Sequence, residues 1–229
     1  MNRLLIAHGT RKSRGVAMIA DLAERVGALL DSRVRVAFVD VLGPTPAEVL
    51  AATDMIDTPA VVVPAFLARG YHVRVDLPDQ IATSGHRAVT VTPALGPSPE
   101  MVRLLAENLI ESGWRQGDSV ILGAAGTSDP AAQSDLRVTA TLLSATIGSR
   151  VEPAFAATGD PRIGDAVRRL RARGDRRVAI ASYLLADGLF QDRLRAAGAD
   201  LVTEPLGTQP GTARLIASRF RRAHLCAEL

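Results

Sequence analysis

The sequence has few aromatic residues, a single cysteine and no long apolar segment. Aromatic residues make up 3% of the 229 residues, so the core must be built mainly from Ala, Val, Leu and Ile. The lone Cys226 cannot form an intramolecular disulfide, which favours a reducing compartment, and we expect a cytoplasmic protein. No apolar run approaches the roughly 20 residues of a membrane-spanning helix, so we expect no membrane partner.

Nucleotide and nucleic-acid signatures are also missing. No glycine-rich phosphate loop follows a candidate strand, which argues against an ATP-dependent enzyme on an α/β fold. The net charge is +3, and no dense basic run with interleaved aromatic residues is present, so we expect no nucleic-acid partner. The mild excess of arginine favours a small anionic partner instead.

The sequence contains two related halves. His8-Gly9-Thr10 matches Ala125-Gly126-Thr127, and the segment 33–44 matches 150–161. The segment 66–72 likewise lines up with 184–190. This internal repeat predicts two domains of similar size, an N-terminal half over residues 1–113 and a C-terminal half over residues 118–229.

Short β-branched apolar runs alternate with helical patterns in both halves, which is typical of an α/β fold with parallel sheets. Thr45-Pro46-Ala47-Glu48 combines the residues of a helix start, and Ser98-Pro99 and Asp129-Pro130 resemble it. The predicted strands are Arg3–Ala7, Val34–Val39, Ala60–Phe66, Ala88–Thr92, Ser119–Leu122, Val151–Phe155, Arg177–Tyr183 and Asp200–Thr203.

Three metal-ligating residue types stand at strand ends of the first half. His8 follows the first strand, Asp40 ends the second, and His72 comes shortly after the third. Because parallel strands end at one edge of a sheet, we expect these side chains to converge. Two imidazoles and a carboxylate suit a borderline divalent metal with open coordination positions.

The second half lacks this set. Ala125, Ala157 and Phe190 stand at the positions that match His8, Asp40 and His72. We therefore expect one working site in the N-terminal half and a degenerate, supporting C-terminal half. The remaining histidines, His86 and His224, are expected to be exposed and outside the site.

Polar and basic residues accompany the predicted site. The segment that begins Gly9-Thr10 leads from a strand into a helix, so its amides are suited to an anion. Two interpretations of the arginines stay open: ordinary surface charge, or recognition of a substrate that bears several carboxylates. The arginines concerned are Arg11, Arg14, Arg69 and Arg74.

Two motifs carry a resemblance to a known family. His8-Gly9-Thr10-Arg11 follows the first strand, and the third strand leads into Gly70-Tyr71-His72-Val73, followed by Asp76-Leu77-Pro78. With these motifs the chain resembles the class II sirohydrochlorin chelatases, which insert cobalt or iron into a metal-free tetrapyrrole. The resemblance implies a chelatase-like fold of two tandem flavodoxin-like halves with parallel sheets. It also implies a lyase that works without ATP or any cofactor beyond the substrate metal.

The same resemblance implies residue roles. His8 and His72 would be the principal site residues, acting as metal ligands and proton acceptors, with Asp40 as a further ligand. Iron-inserting relatives usually carry Glu at the position of Asp40, so its direct ligation is left open. Apolar walls would press on the macrocycle, and arginines and the Gly9-Thr10 segment would hold its carboxylates. The walls are Phe66, Leu67 and Tyr71.

The expected reaction is insertion of a divalent metal, with Fe²⁺ favoured, into sirohydrochlorin for sirohaem biosynthesis. Two alternatives stay open: insertion of Co²⁺ for cobalamin biosynthesis, and a non-catalytic carrier of metal or tetrapyrrole. The sequence does not distinguish Fe²⁺, Co²⁺ and Ni²⁺, because metal affinity follows the metals themselves. A monomer is the simpler expectation, since the duplication already supplies paired halves.

Overall fold

The computed structural model of the chain describes residues 1–227, with side chains to residue 224. Cys226 therefore lies outside the described side chains. The elements in chain order are β1 Asn2–Ala7, α1 Ser13–Leu30, β2 Arg35–Phe38, α2 Pro46–Leu50, β3 Ala60–Pro64, a π-helical turn His72–Asp76, α3 Leu77–Ser84, β4 Val89–Val91, α4 Pro99–Glu111, β5 Ser119–Gly126, α5 Pro130–Ile147, β6 Val151–Thr158, α6 Ile163–Ala172, β7 Val178–Tyr183, α7 Leu189–Arg195, β8 Leu201–Val202, a 3₁₀ turn Leu206–Thr208 and α8 Pro210–Ala227.

Each half of the chain builds a four-stranded parallel sheet. The strand order is β2-β1-β3-β4 in the first sheet and β6-β5-β7-β8 in the second. All eight predicted strands are present within a few residues of the expected bounds, with β5 and β6 extending further at their carboxyl ends. The predicted α/β class with two parallel sheets is confirmed.

The central strands are largely apolar because both faces of each sheet are covered. Leu4, Leu5 and Ile6 of β1 are fully buried, as are Val62 and Val63 of β3. In the second sheet the residues of β7 are buried along its whole length. This burial holds the ends of the central strands, and the loops that follow them, in fixed positions.

The helix starts form as the sequence predicts. Thr45 and Glu48 make a reciprocal capping box at the start of α2, with the Glu48 N–H donating to Thr45 Oγ1 at 3.2 Å and the Thr45 N–H donating to Glu48 Oε2 at 2.8 Å. Ser98 accepts from the Met101 N–H at the start of α4. Asp129 accepts from two amides at the start of α5.

The compact units differ from the predicted boundary near residues 113–118. One unit contains residues 1–95 and the C-terminal helix α8, and the other contains residues 96–209. Helix α8 packs against α1 and β3, and α4 packs against α5 and β7. The repeat could not reveal this exchange, because α4 and α8 occupy matching places in the two sequence halves. No helix in the described part of the chain is long and apolar enough to cross a membrane.

Candidate metal centre

The structure brings His8, Asp40 and His72 together at the carboxyl edge of the first sheet. One potential ligand atom from each residue lies within 4.8 Å of the others. His8 comes directly after β1, Asp40 follows β2, and His72 opens the π-helical turn after β3. The predicted convergence is therefore found. Among the described residues this is the one such group of three with metal-ligating side chains.

Gly9 allows the loops after β1 and β2 to touch. Its φ is +100°, and a Cβ at this position would lie 2.2 Å from the backbone oxygen of Asp40. The Asp40 N–H also donates to the His8 carbonyl at 3.1 Å. Only glycine fits such a close approach at this dihedral angle, so Gly9 sets the spacing between the backbones of His8 and Asp40.

His72 has a partner that the sequence analysis did not include among the site residues. Its Nδ1 lies 2.9 Å from Oδ2 of Asp76, four residues later. The helix widens over this segment, with the Leu77 N–H donating to the His72 carbonyl five residues earlier. Pro78 follows and has no N–H to give to an α-helical bond, which favours a wider turn before it. The four-residue spacing of His72 and Asp76 within residues 70–76 was the sequence signal that could have revealed this contact.

Each of the three residues has one polar atom held by the protein and one available for a ligand. His8 Nδ1 lies 3.4 Å from the Gly9 carbonyl, and Asp40 Oδ1 accepts from the Val41 N–H at 2.7 Å. His72 Nδ1 is held by Asp76. The atoms that remain for a metal are Nε2 of both imidazoles and Oδ2 of Asp40.

Val41 adopts a backbone conformation that β-branched residues rarely take. Its φ is +70°, in the left-handed region. Such a conformation costs about 1–3 kcal/mol and persists only where the surrounding structure imposes it. Here it turns the Val41 N–H back onto the Asp40 carboxylate, which orients that side chain.

The environment lowers the pKa of His8 below its ordinary value of 6.5. Partial desolvation of the ring is the largest cause, and the neighbouring His72 adds to it. The Gly9 carbonyl and the carboxylates of Asp40 and Asp76 oppose the shift without cancelling it. The neutral imidazole is therefore favoured near pH 7, and this is the form that ligates metals.

Aromatic rings surround His72. The ring of Phe66 stacks on it with centroids 6.3 Å apart, and that of Tyr71 meets it edge-on at 5.8 Å. The rings of His8 and His72 are themselves edge-on at 4.8 Å. Tyr71 is 59% exposed and thus offers apolar surface to a ligand, while Phe66 and Leu67 are half-buried.

The basic residues predicted to bind substrate lie on the segments that carry the two histidines. Arg11 and Arg14 follow His8 into the start of α1, and Arg69 and Arg74 flank His72. All four side chains are exposed, and Thr10 is half-buried. Exposed arginines fit ordinary surface charge as well as recognition of a substrate with several carboxylates, so their role in binding stays a prediction.

The second unit keeps the backbone geometry at the matching sheet edge but has apolar residues in place of the three metal-ligating side chains. Gly126 has φ +98°, and a Cβ there would lie 1.8 Å from the Thr158 carbonyl oxygen, as at Gly9. Ala125 and Phe190, which match the two histidines, pack against the apolar core of the second unit. At these two positions the matching edge is therefore apolar, partly buried and packed against a hydrophobic core.

The expectation that His86 is exposed is wrong. His86 is 8% exposed, and its Nε2 lies 3.0 Å from the Met55 carbonyl and 3.1 Å from the Thr58 carbonyl. Its Nδ1 accepts from the Ala88 N–H at 3.2 Å. The residue therefore ties the loop between α2 and β3 to the loop between α3 and β4. His224 is half-buried on α8, and it is not exposed either.

Comparison with known proteins identifies a family model and relatives of similar sequence. A model of the CbiX family matches residues 2–112 and again residues 119–223. The sequence is 23% identical over 235 residues to the sirohydrochlorin ferrochelatase of Priestia megaterium, a match that covers 95% of this chain and 88% of the relative.

Two solved structures are similar over nearly the whole chain. SirB from Bacillus subtilis with Fe³⁺ superimposes with a TM-score of 0.82 at 21% identity, covering 100% of this chain and 98% of that one. The sirohydrochlorin chelatase SirB from Bacillus subtilis subspecies spizizenii in complex with cobalt gives 0.72 at 20% identity, covering 97% and 95%. These similarities confirm the chelatase-like fold.

Proposed function

Because the chain belongs to the CbiX family, we propose that it is a lyase that inserts a divalent metal into sirohydrochlorin without ATP. The observation that carries this proposal is the convergence of His8, Asp40 and His72 within 4.8 Å at one sheet edge. Fe²⁺, for sirohaem, is the favoured metal. A relative of similar sequence is a sirohydrochlorin ferrochelatase, which supports this choice.

The three donors suit a metal that is substrate and must leave again. Donors at about 2.1 Å from one ion lie about 3.0–3.6 Å apart when three of them share it, so a spacing of up to 4.8 Å requires a closure of up to about 1–2 Å. Small side-chain rotations supply such a shift. Three protein ligands leave coordination positions that the pyrrole nitrogens can take over as the metal is transferred.

The reaction also has to remove two protons. A metal-free tetrapyrrole carries two pyrrolic N–H groups, and both protons leave as M²⁺ enters, giving the metallated ring and 2 H⁺. A neutral imidazole can accept such a proton when it is not ligating the metal. The lowered pKa of His8 favours the neutral form and so supports this role.

The surroundings of the histidines fit a large, flat and anionic substrate. The exposed ring of Tyr71 and the neighbouring Phe66 and Leu67 offer apolar contacts to a macrocycle face. Binding energy spent on bending the ring would expose nitrogen lone pairs and lower the insertion barrier. Sirohydrochlorin has eight carboxylates, which Arg11, Arg14, Arg69 and Arg74 are suited to hold.

The test is an anaerobic assay with purified protein, sirohydrochlorin and Fe²⁺ or Co²⁺, without ATP, followed by visible absorption. We expect faster insertion than in the no-enzyme control, and loss of most of the rate in His8→Ala and His72→Ala. His224→Ala, which changes a histidine outside the cluster, should keep the rate.

The same assay separates the alternatives. Tight binding of the pigment without acceleration would indicate a carrier, and neither binding nor acceleration would refute the proposal. A cobaltochelatase is the second candidate, since one solved relative holds cobalt. The ratio of the Fe²⁺ and Co²⁺ rates compares the two. A cytoplasmic, monomeric protein without membrane or nucleic-acid partners stays a prediction.

A further inference from the structure

We propose that Asp76 is a positioning residue that holds His72 in the Nδ1–H tautomer and so presents its Nε2 lone pair to the metal. This inference rests on the proposed function for its purpose, but its structural part can be tested on the protein alone. The observation behind it is the 2.9 Å separation of His72 Nδ1 and Asp76 Oδ2. Both side chains are partly shielded, with 32% and 22% of their surfaces exposed.

The direction of this hydrogen bond determines the tautomer. An ionised carboxylate only accepts hydrogen bonds, so the proton between the two groups must be carried by Nδ1 of His72. In the neutral ring the lone pair is then on Nε2, the nitrogen that is not bound to Asp76. A carboxylate behind a metal-ligating histidine also raises the basicity of the ligating nitrogen.

The local backbone and the neighbouring rings restrict the imidazole further. His72 and Asp76 are four residues apart in the sequence, and both lie in the π-helical turn. At this spacing on a helical segment their side chains meet. Phe66 stacks against the ring of His72 at an interplanar angle of 24°, and Tyr71 contacts it at 77°. Turning the ring over would take Nδ1 away from Asp76, and rotating it out of its present plane would disturb both ring contacts.

His8 is held less firmly. Its Nδ1 lies 3.4 Å from the Gly9 carbonyl, at the long limit of a hydrogen bond, and no carboxylate is its bonded partner. His72 is therefore the more rigid of the two imidazoles. Removal of Asp76 should change the tautomer of His72 and leave that of His8 unaltered.

The matching positions of the second unit support a joint role for His72 and Asp76. Continuing the match of His72 with Phe190 by four residues places Leu194 opposite Asp76. Leu194 is fully buried, and Phe190 packs against the same apolar cluster. Where the histidine is replaced by an apolar residue, the carboxylate four residues later is replaced as well.

The first measurement is the tautomer itself. Long-range ¹H–¹⁵N correlation spectra of the ¹⁵N-labelled, metal-free protein, at about pH 8 where an ordinary imidazole is neutral, distinguish the two tautomers of each histidine. We expect Nδ1–H for His72 in the wild type and in Asp76→Asn, whose side-chain oxygen still accepts. Asp76→Ala should shift His72 towards Nε2–H. Asp79→Ala, an exposed acid on α3, is the matched control and should change nothing.

The second measurement is the affinity for Co²⁺, followed by its visible absorption. We expect Asp76→Ala to weaken binding about 10–100-fold, with a smaller loss in Asp76→Asn. A wild-type His72 with Nε2–H, or an Asp76→Ala protein with unaltered tautomer or Co²⁺ affinity, would overturn the inference. If the tautomer and the affinity change as expected while the wild type inserts no metal, Asp76 keeps its positioning role and the proposed function fails.

Discussion

Substitution of Gly9 by alanine tests whether the contact between two loops sets the metal centre. The added Cβ would lie 2.2 Å from the Asp40 backbone oxygen, where ordinary contact begins at 3.4 Å, so the loops must separate. Alanine at φ +100° adds backbone strain. Strain and overpacking together should lower the free energy of unfolding by about 3 kcal/mol. For a chain of this size that corresponds to a fall of about 10 °C in Tm.

Gly9→Ala should weaken metal binding even where the protein is fully folded, so the loss of affinity exceeds what its lower stability alone would cause. Side-chain rotations already have to close the donors around the ion, and relief of the clash adds roughly 1 Å between the backbones of Asp40 and His8, well beyond the deviation of about 0.2 Å that metal–ligand distances tolerate. We therefore expect Co²⁺ affinity to fall at least about 10-fold in the folded Gly9→Ala protein. Titration at a temperature well below the measured Tm separates this loss from unfolding.

Gly126→Ala is the matched control. Gly126 has a φ of +98° and an even closer backbone oxygen, but within the described part of the chain no metal-ligating set lies beside it. It should be destabilised about as much as Gly9→Ala while keeping the wild-type Co²⁺ affinity. Gly85→Ala, with φ +70° and open space around it, should lose only about 1 kcal/mol. Wild-type affinity in Gly9→Ala, or equal losses of affinity in Gly9→Ala and Gly126→Ala, would refute the reasoning.

Three further predictions concern residues outside the cluster. His86→Leu removes the ring hydrogen bonds to the Met55 and Thr58 carbonyls and the acceptor of the Ala88 N–H, and should lower the free energy of unfolding by about 2 kcal/mol in chemical denaturation, with unchanged Co²⁺ affinity. The Val178 N–H and Arg171 lower the pKa of Asp200 below 3.8, so Asp200 stabilises the fold above the unfolded-state pKa. The difference in stability between the wild type and Asp200→Asn should vanish as pH falls through the folded-state pKa; a difference that grows in acid would contradict this sign. Ala125→His should bind no additional Co²⁺ in equilibrium dialysis, because Ala157 and Phe190 supply no further ligands; a second bound ion would show that the second unit retains a site.

Local sequence patterns were sufficient to predict the strands and the convergence of three candidate metal ligands. A buried parallel strand needs a continuous apolar run, and such runs are visible at β1, β3, β5 and β7 without any knowledge of their neighbours. Because parallel strands share an edge, placing His8, Asp40 and His72 at strand ends was enough to predict that they meet. The repeat then indicated which half carries the site.

Other features depended on contacts that local patterns do not contain. The burial of His86 comes from carbonyl groups about 30 residues earlier in the chain, and a histidine after Ser84-Gly85 resembles an ordinary turn residue until those groups are in place. Asp76 stands within the motif that contains His72, at the four-residue spacing of a helical pair, yet the local pattern did not show that residues 72–76 form the helical turn that joins the two side chains.

The amino-acid sequence by itself determined the α/β class, the two parallel sheets and the three side chains of the candidate metal centre, because each follows from short-range periodicity and from the geometry of parallel strands. Tertiary structure alone decided that α8 completes the first unit and α4 the second, because matching helices carry matching apolar faces and only packing selects their sheet. It also decided which nitrogen of His72 remains available, since that depends on where the Asp76 carboxylate lies.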